Sequence, residues 1–248
     1  MWFAGFSSTS NMETKQLARR VVMPGEKINA LKNCADSSKI ILGPGLRLED
    51  EDICVAKSGI LRFREPNVYW VDSHQTRYVP VKGETVIGII TQKVGDTFRV
   101  DIGGSEQASL SFLSFEGATK RNRPDVKVGD IVYCRLLVAN KDMEPEVVCI
   151  DGQGRSSGMG VIRNGGFLVR TSLSLVRKIL NADCVLMKCL GNKIPFEAAV
   201  GMNGRVWVKA RSNKETIAVA NAILASEYMT NEEIKNMCQR LADALDGF

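Results

Sequence analysis

Short apolar runs broken by Gly, Pro and polar residues fill the first part of the chain, a pattern that predicts strands rather than helices. Val21-Val22 precedes Met23-Pro24-Gly25, a Pro-Gly turn that asks Gly25 for a positive φ. An apolar run at 39–42 stops at Gly43-Pro44-Gly45. Runs at 53–56 and 60–63 flank Lys57-Ser58-Gly59, which predicts a hairpin, and another strand follows at 68–71. The sum is a small β-rich module over residues 18–79, too short to bury a generous core alone.

A second module covers residues 80–151. An apolar strand is predicted at 85–92, and a turn at 94–97 follows it. Phe98, Val100 and Ile102 then alternate with Arg99 and Asp101, so one face is apolar. Gly103-Gly104 reverses the chain into a short strand at 107–111. A long polar, basic crossing at 119–128 leads to the longest strand, at 131–138. A loop at 140–145 and a closing strand at 147–150 complete the set. Five short strands with one long connection between the third and fourth suit an OB barrel.

A Gly- and Ser-rich stretch from Asp151 to Gly160 reads as a linker, and the pattern then mixes both periods over residues 152–248. Ser172 is placed to cap a helix bearing Leu175, Val176, Ile179 and Leu180. Gly165-Gly166 precedes the run at 167–170, and strands are predicted at 184–189, 196–200 and 206–210. Ser212 with Glu215 and Thr230 with Glu233 have capping-box spacing. Ile217, Ala220, Leu224 and Tyr228 mark the expected buried face after the first box; Ile234, Met237, Cys238, Leu241 and Leu245 mark it after the second. The whole is multidomain, β followed by α+β.

Composition adds limits. The chain has 248 residues, 44% of them apolar and 25% charged, which is globular. With 33 Lys and Arg against 28 Asp and Glu, the net charge of +5 permits nucleic-acid binding without requiring it. No apolar run is long enough for a membrane helix, so no membrane partner is expected. The seven cysteines are irregularly spaced and form no C-x-x-C pair, and His74 is the single histidine. A reducing compartment is expected, with no disulfide framework and no metal site. Residues 1–17 lack the charge-then-apolar order of a secretion signal and read as a disordered tail.

The densest positive run is Lys120-Arg121-Asn122-Arg123, within the long barrel connection and after Phe112 and Phe115. OB loops and one sheet face bind single strands by charge and stacking, so this run points to RNA. The alternative is a solvated loop over core phenylalanines; the basic run also has the look of a nuclear-localisation fragment. Gly201-Met202-Asn203-Gly204 matches the G-x-x-G clamp of a KH domain, in which backbone amides hold RNA. Such a clamp joins two helices, whereas the flanks here alternate like strands, so Asn203-Gly204 reads as a hairpin turn. Trp207 is expected to pack against the barrel or a helix with its N–H paired. Gly152, Gly154, Gly158 and Gly160 precede no Walker Lys-Ser/Thr. Asp142, Glu144 and Glu146 fall in the expected solvent loop, and no Ser, Cys or His arrangement marks a catalyst. The residues argue for a binding module that needs no cofactor and has no catalytic residue.

The phrases VYWVDSHQTRYVPVKGETVIGII, DIGGSEQASLSFLSFEGATKRNRPDVKVGD, VANKDMEPEVVCID and GMNGRVWVKA closely resemble the RNA exosome cap subunits of the ribosomal RNA-processing protein 40 family. The resemblance runs over about residues 18 to 245. It implies an N-terminal β domain that meets the ring, a central S1-type OB domain and a C-terminal KH-type domain. It also implies a place on a six-membered ring of RNase PH-like subunits, beside other cap subunits. Single-stranded RNA would be guided to associated 3′ to 5′ exoribonucleases, in nucleus, nucleolus and cytoplasm. The resemblance maps an S1-type RNA surface to Lys93, Phe98, Phe112, Lys120, Arg121 and Arg123. It maps the family's G-x-N-G phrase to Gly201, Asn203 and Gly204, which are expected to stiffen the S1–KH contact, and it assigns Gly25 to the ring-facing module. An active exoribonuclease and a stand-alone RNA-binding regulator of translation are the alternative functions.

Overall fold

The computed structural model describes residues 20–28, 40–50, 52–64, 67–140 and 142–246. The tail expected at 1–17 and Cys34 lie outside them. The chain divides into two compact units, one ending at His74 and one starting at Gln75.

The first unit holds β1 (Val21–Val22), β2 (Ile41–Leu42), β3 (Leu46–Glu49), β4 (Asp52–Val55), β5 (Gly59–Arg64) and β6 (Val68–Asp72). One sheet runs β1-β5-β6-β2, and β3 pairs with β4 separately. The hairpin expected around Lys57-Ser58-Gly59 is therefore not one: β4 turns back on β3, and β5 joins β1 and β6. Gly59 explains the break. A Cβ there would lie 2.3 Å from the Asp72 carbonyl, so the glycine serves a close β5–β6 approach, not a β4–β5 turn. Val22, Ile53, Val55, Leu61, Tyr69 and Val71 form the core. Gly25 takes φ +85° in its turn.

The second unit opens with β7 (Thr85–Val94), β8 (Thr97–Asp101), β9 (Ala108–Ser111), β10 (Ile131–Asn140) and β11 (Met143–Val148). Their order, β11-β9-β8-β7-β10 with β10 also paired to β11, closes a five-stranded barrel. The β9–β11 pairing is parallel and the others antiparallel, which is the OB arrangement. Inward residues alternate as the sequence pattern requires, and Val86, Ile90, Val100, Leu110, Val132, Leu136 and Val147 fill the interior. Each such aliphatic side chain contributes roughly 1.5–3 kcal/mol by burial. Burial also pushes the Cys149 thiol up to about 12 and raises that of Cys134, so both pack as small apolar groups. The loop expected at 140–145 is shorter than that. β11 starts at Met143, and Pro145 occupies the irregular register between Val138↔Glu146 and Asn140↔Met143, where no ladder N–H is required of it.

β12 (Gly160–Ile162) adds to β10. Then come β13 (Phe167–Arg170), α1 (Leu173–Ile179), α2 (Val185–Lys193), β14 (Phe196–Gly201), β15 (Arg205–Ala210), α3 (Asn213–Ala225) and α4 (Asn231–Asp246). The three strands form a sheet in the order β13-β15-β14. Ser172 caps α1 and Ser212 caps α3 through their hydroxyls, and Thr230 and Glu233 exchange the bonds of a capping box. Two expectations are corrected. The run at 184–189 is not a strand: Cys184 is the N-cap and 185–189 begin a helix, whose Leu186 and Leu190 are spaced for a helical face. On α3 the buried side chains are Thr216, Val219, Ala220, Ala222 and Ile223; Ile217 and Leu224, with Tyr228 beyond the helix end, are exposed. The buried stripe of α3 thus keeps Ala220 from the expected face but runs through Thr216, Val219 and Ile223.

Candidate nucleic-acid interface

One end of the barrel gathers four of the expected RNA residues, Lys93, Phe98, Phe112 and Arg123. The β7–β8 turn at 95–96 carries Asp96, whose carbonyl accepts the Phe112 N–H at 3.2 Å. Phe112 begins a short 3-10 turn, Phe112–Ser114, capped by the Ser111 hydroxyl. Phe98 is 2% exposed and Phe112 7%, both within the barrel core, with Phe115 meeting Phe98 edge-on at 6.5 Å. The stacking surface expected of Phe98 and Phe112 does not fit that burial. Their rings carry cations instead: Lys93 Nζ lies 5.7 Å from the Phe98 centroid, and Arg123 Cζ lies 4.9 Å from that of Phe112. Arg123 also pairs with Asp96 at 3.1 Å.

Lys120 and Arg121 project from a turn that its own polar residues fix. The Thr119 N–H donates to the Asn122 carbonyl at 3.0 Å, and the Asn122 N–H to Thr119 Oγ1 at 3.0 Å. Asn122 Nδ2 adds a bond to the Gly117 carbonyl at 3.2 Å. Both cations are exposed, and neither has a carboxylate partner among the described residues. Such a turn presents positive charge without ordering a long loop on binding. Arg99 pairs with Glu144, so that carboxylate is engaged; among the described residues no three His, Cys, Asp or Glu side chains are grouped to hold a metal.

The G-x-N-G phrase lies elsewhere. It is the β14–β15 turn, and it seals a seam of the barrel. Pairing of β7 with β8 begins only at Ile89↔Asp101, which leaves the Thr85 and Ile87 peptide groups facing away from β10 without a strand neighbour. The Met202 N–H donates to the Thr85 carbonyl at 2.8 Å. Asn203 Oδ1 accepts the Ile87 N–H at 3.2 Å while its Nδ2 donates to the Ile87 carbonyl at 2.8 Å, as one more strand residue would. Nδ2 donates again to the Ile102 carbonyl at 2.8 Å. Arg205, its side chain 4% exposed, reaches the Asp101 carboxylate at 2.6 Å, the Asp101 carbonyl at 2.5 Å and the Ile87 carbonyl at 3.3 Å. Burial pushes the Asp101 pKa upward, but the Gly103 N–H and the Arg205 guanidinium outweigh it and hold the carboxyl below its usual range. Both glycines are required here. A Cβ on Gly201 would meet Asn203 Oδ1 at 2.4 Å and Ile87 N at 2.7 Å; one on Gly204, at φ +79°, would meet the Thr171 carbonyl at 2.6 Å. Trp207, buried on β15, donates its Nε1–H to the Gly165 carbonyl at 2.9 Å and lies against the Gly165-Gly166 segment.

Three family models match in chain order. They are the N-terminal region of the mammalian exosome complex component RRP40 at residues 20–74, the RRP40 S1 domain at 78–160 and a KH domain at 166–214. The human exosome complex component RRP40 is 54% identical over 212 residues, covering 83% of this chain and 77% of the human one. The chain belongs to the exosome complex component RRP40 family. The RRP40 of Drosophila melanogaster is 47% identical over 227 residues, covering 92% of this chain and 97% of its own. A crystal structure provisionally named as an exosome complex RNA-binding protein shares the fold, with a TM-score of 0.56 and 23% identity over 67% of this chain and 98% of that one. Against this RRP40-family background, Lys93, Phe98, Phe112 and Arg123 stand at one end of the S1 barrel and Lys120 and Arg121 on its long connection, while Gly201, Asn203 and Gly204 stand in the seam. Gly25 belongs to the first unit. Sequence reasoning missed Asp96, Asp101 and Arg205. Only Arg205 left a trace, as a charge heading an otherwise apolar strand.

Proposed function

We propose that this chain is a non-catalytic RNA-binding cap subunit of an RNA exosome. It braces a ring of RNase PH-like subunits beside other cap subunits and guides single-stranded RNA toward associated 3′ to 5′ exoribonucleases, in nucleus, nucleolus and cytoplasm. The observation that carries the reading is the self-braced turn holding Lys120 and Arg121, without a carboxylate partner among the described residues, on the long connection of an S1-type barrel. The KH-type region supports a bracing role, because its G-x-N-G turn gives the Met202 N–H and the whole Asn203 side-chain amide to the barrel and closes the Gly204 N–H on the Gly201 carbonyl. The carboxylates of Asp101 and Glu144 are held by arginines, which suits scaffolding better than phosphodiester hydrolysis.

The test is affinity purification of the tagged full chain from cells, with mass spectrometry of what accompanies it and a ribonuclease assay on the pure chain. Recovery with ring subunits and no RNA hydrolysis by the chain alone is expected. Recovery alone, or metal-dependent RNA decay by the pure chain, overturns the reading. In a direct binding assay, Lys120→Ala with Arg121→Ala lowers the salt slope by about 1.4, at roughly 0.7 per phosphate contact on a single strand.

A further inference from the structure

Phe98 and Phe112 are buried and Phe115 is only partly exposed, yet one flat, well-exposed group remains at this end of the barrel. The Arg123 guanidinium lies over the Phe112 ring at 4.9 Å, and its side chain is 54% exposed. Asp96 holds it at 3.1 Å, and the Asp96 carbonyl accepts the Phe112 N–H, so ring, carboxylate and guanidinium are tied to one another. This differs from the setting of Lys120 and Arg121. Asp96 already neutralises Arg123, and a phosphate drawn to Arg123 would meet that carboxylate. A guanidinium whose charge is balanced by an adjacent carboxylate, and whose ring-side face lies over Phe112, is less suited to a phosphate than to a base. Its faces are weakly hydrated, and unstacked RNA bases lie on arginine planes as readily as on aromatic rings. Exposed apolar side chains stand close in sequence, Val94 two residues before Asp96 and Leu113 next to Phe112.

We propose that Arg123 is the base-stacking platform of this barrel. Phe112 backs the guanidinium, Asp96 fixes its orientation, and an unstacked base of single-stranded RNA rests on its outer face. Asp96 is a positioning residue and Lys120 and Arg121 supply phosphate contacts. The inference rests on the RNA-binding reading and sharpens it, dividing the basic run into one stacking and two electrostatic members.

The test compares two ligands of equal length and charge, a single-stranded oligoribonucleotide and its abasic counterpart, on the full chain. The ratio of the two affinities isolates what the bases contribute. A stacked base changes affinity by about tenfold, within the range known for such contacts. Arg123→Lys keeps the charge and loses the plane, so the ratio falls severalfold while the salt slope stays. Asp96→Ala also lowers the ratio, and it leaves abasic binding equal or tighter because a negative charge is gone. Lys120→Ala lowers the slope and leaves the ratio. Far-UV circular dichroism and thermal melting confirm that each variant is folded. An unchanged ratio in Arg123→Lys overturns the stacking role while RNA binding stands. A parallel loss for both ligands makes Arg123 a phosphate contact. A wild-type chain that binds neither ligand defeats the RNA-binding reading itself, and this inference with it.

Discussion

Replacing Asn203 by Ala removes three hydrogen bonds from a site where the side chain is the neighbour that β7 otherwise lacks. Asn203 is 6% exposed, and its partners are backbone groups of Ile87 and Ile102. The Ile87 carbonyl keeps a bond from Arg205 Nη1 at 3.3 Å. Two groups, the Ile87 N–H and the Ile102 carbonyl, are left bare. A buried unsatisfied polar group costs about 1–3 kcal/mol. The pair costs roughly 2–5 kcal/mol once water partly fills the gap. A domain of this size moves about 2–4 °C per kcal/mol, so the melting temperature falls by roughly 4–20 °C. Urea denaturation of the full chain, followed by tryptophan fluorescence and far-UV circular dichroism, measures the change directly. A loss below about 0.5 kcal/mol, ordinary for a surface site, refutes the seam argument. Weaker RNA binding at unaltered stability refutes it from the other side and makes the turn an RNA clamp.

Trp207→Arg buries a charge where an indole donates to the Gly165 carbonyl, and soluble yield and melting temperature should both fall, by about 3–5 kcal/mol in stability; an unchanged melt contradicts the burial. Gly25 and Gly45 share φ +85°, but a Cβ at Gly25 meets nothing within 4 Å while one at Gly45 meets Val71 Cβ at 2.7 Å. Gly25→Ala therefore costs only backbone strain, about 1–2 kcal/mol, and Gly45→Ala costs more; equal losses in a melting comparison remove the steric argument. The Asp101 carboxyl is held low in the folded chain, so its contribution is present above the ordinary carboxylate range and is lost as pH falls through the folded value. Asp101→Asn should flatten the acid limb of a pH–stability curve below about pH 4, and an unchanged limb rules Asp101 out as its source.

The barrel was legible because its strands face one core, and Phe98, Val100 and Ile102 announce that face by alternation alone. Short apolar runs carry no such signal. Residues 184–189 read as a strand until Leu186 and Leu190 are seen to share a helical face. On α3 the expected face keeps only Ala220: the buried stripe runs through Thr216, Val219, Ala220 and Ile223, one position away from Ile217 and Leu224, and apolar residues on both sides of that step leave the face ambiguous in the sequence. The basic run was visible as composition. The division of labour within it was not, since Asp96 is distant from Arg123 in sequence and a surface aspartate carries no distinguishing pattern. The seam was half visible. The hairpin at Asn203-Gly204 follows from turn chemistry, but its dependence on Ile87 and Asp101 joins residues more than a hundred positions apart.

The seam also limits how freely this barrel can be exchanged. A chain cut after residue 151 retains all five barrel strands, yet its Thr85 and Ile87 peptide groups lose Met202 and Asn203 and lie open at a sheet edge. Open edges recruit strands from other molecules. The excised barrel is thus a polymerisation hazard, and recombination that transplants it intact must carry residues 196–210 along or invent another closure. Two regions that a sequence divides at a glycine-rich linker share their buried hydrogen bonds and belong to one compact unit.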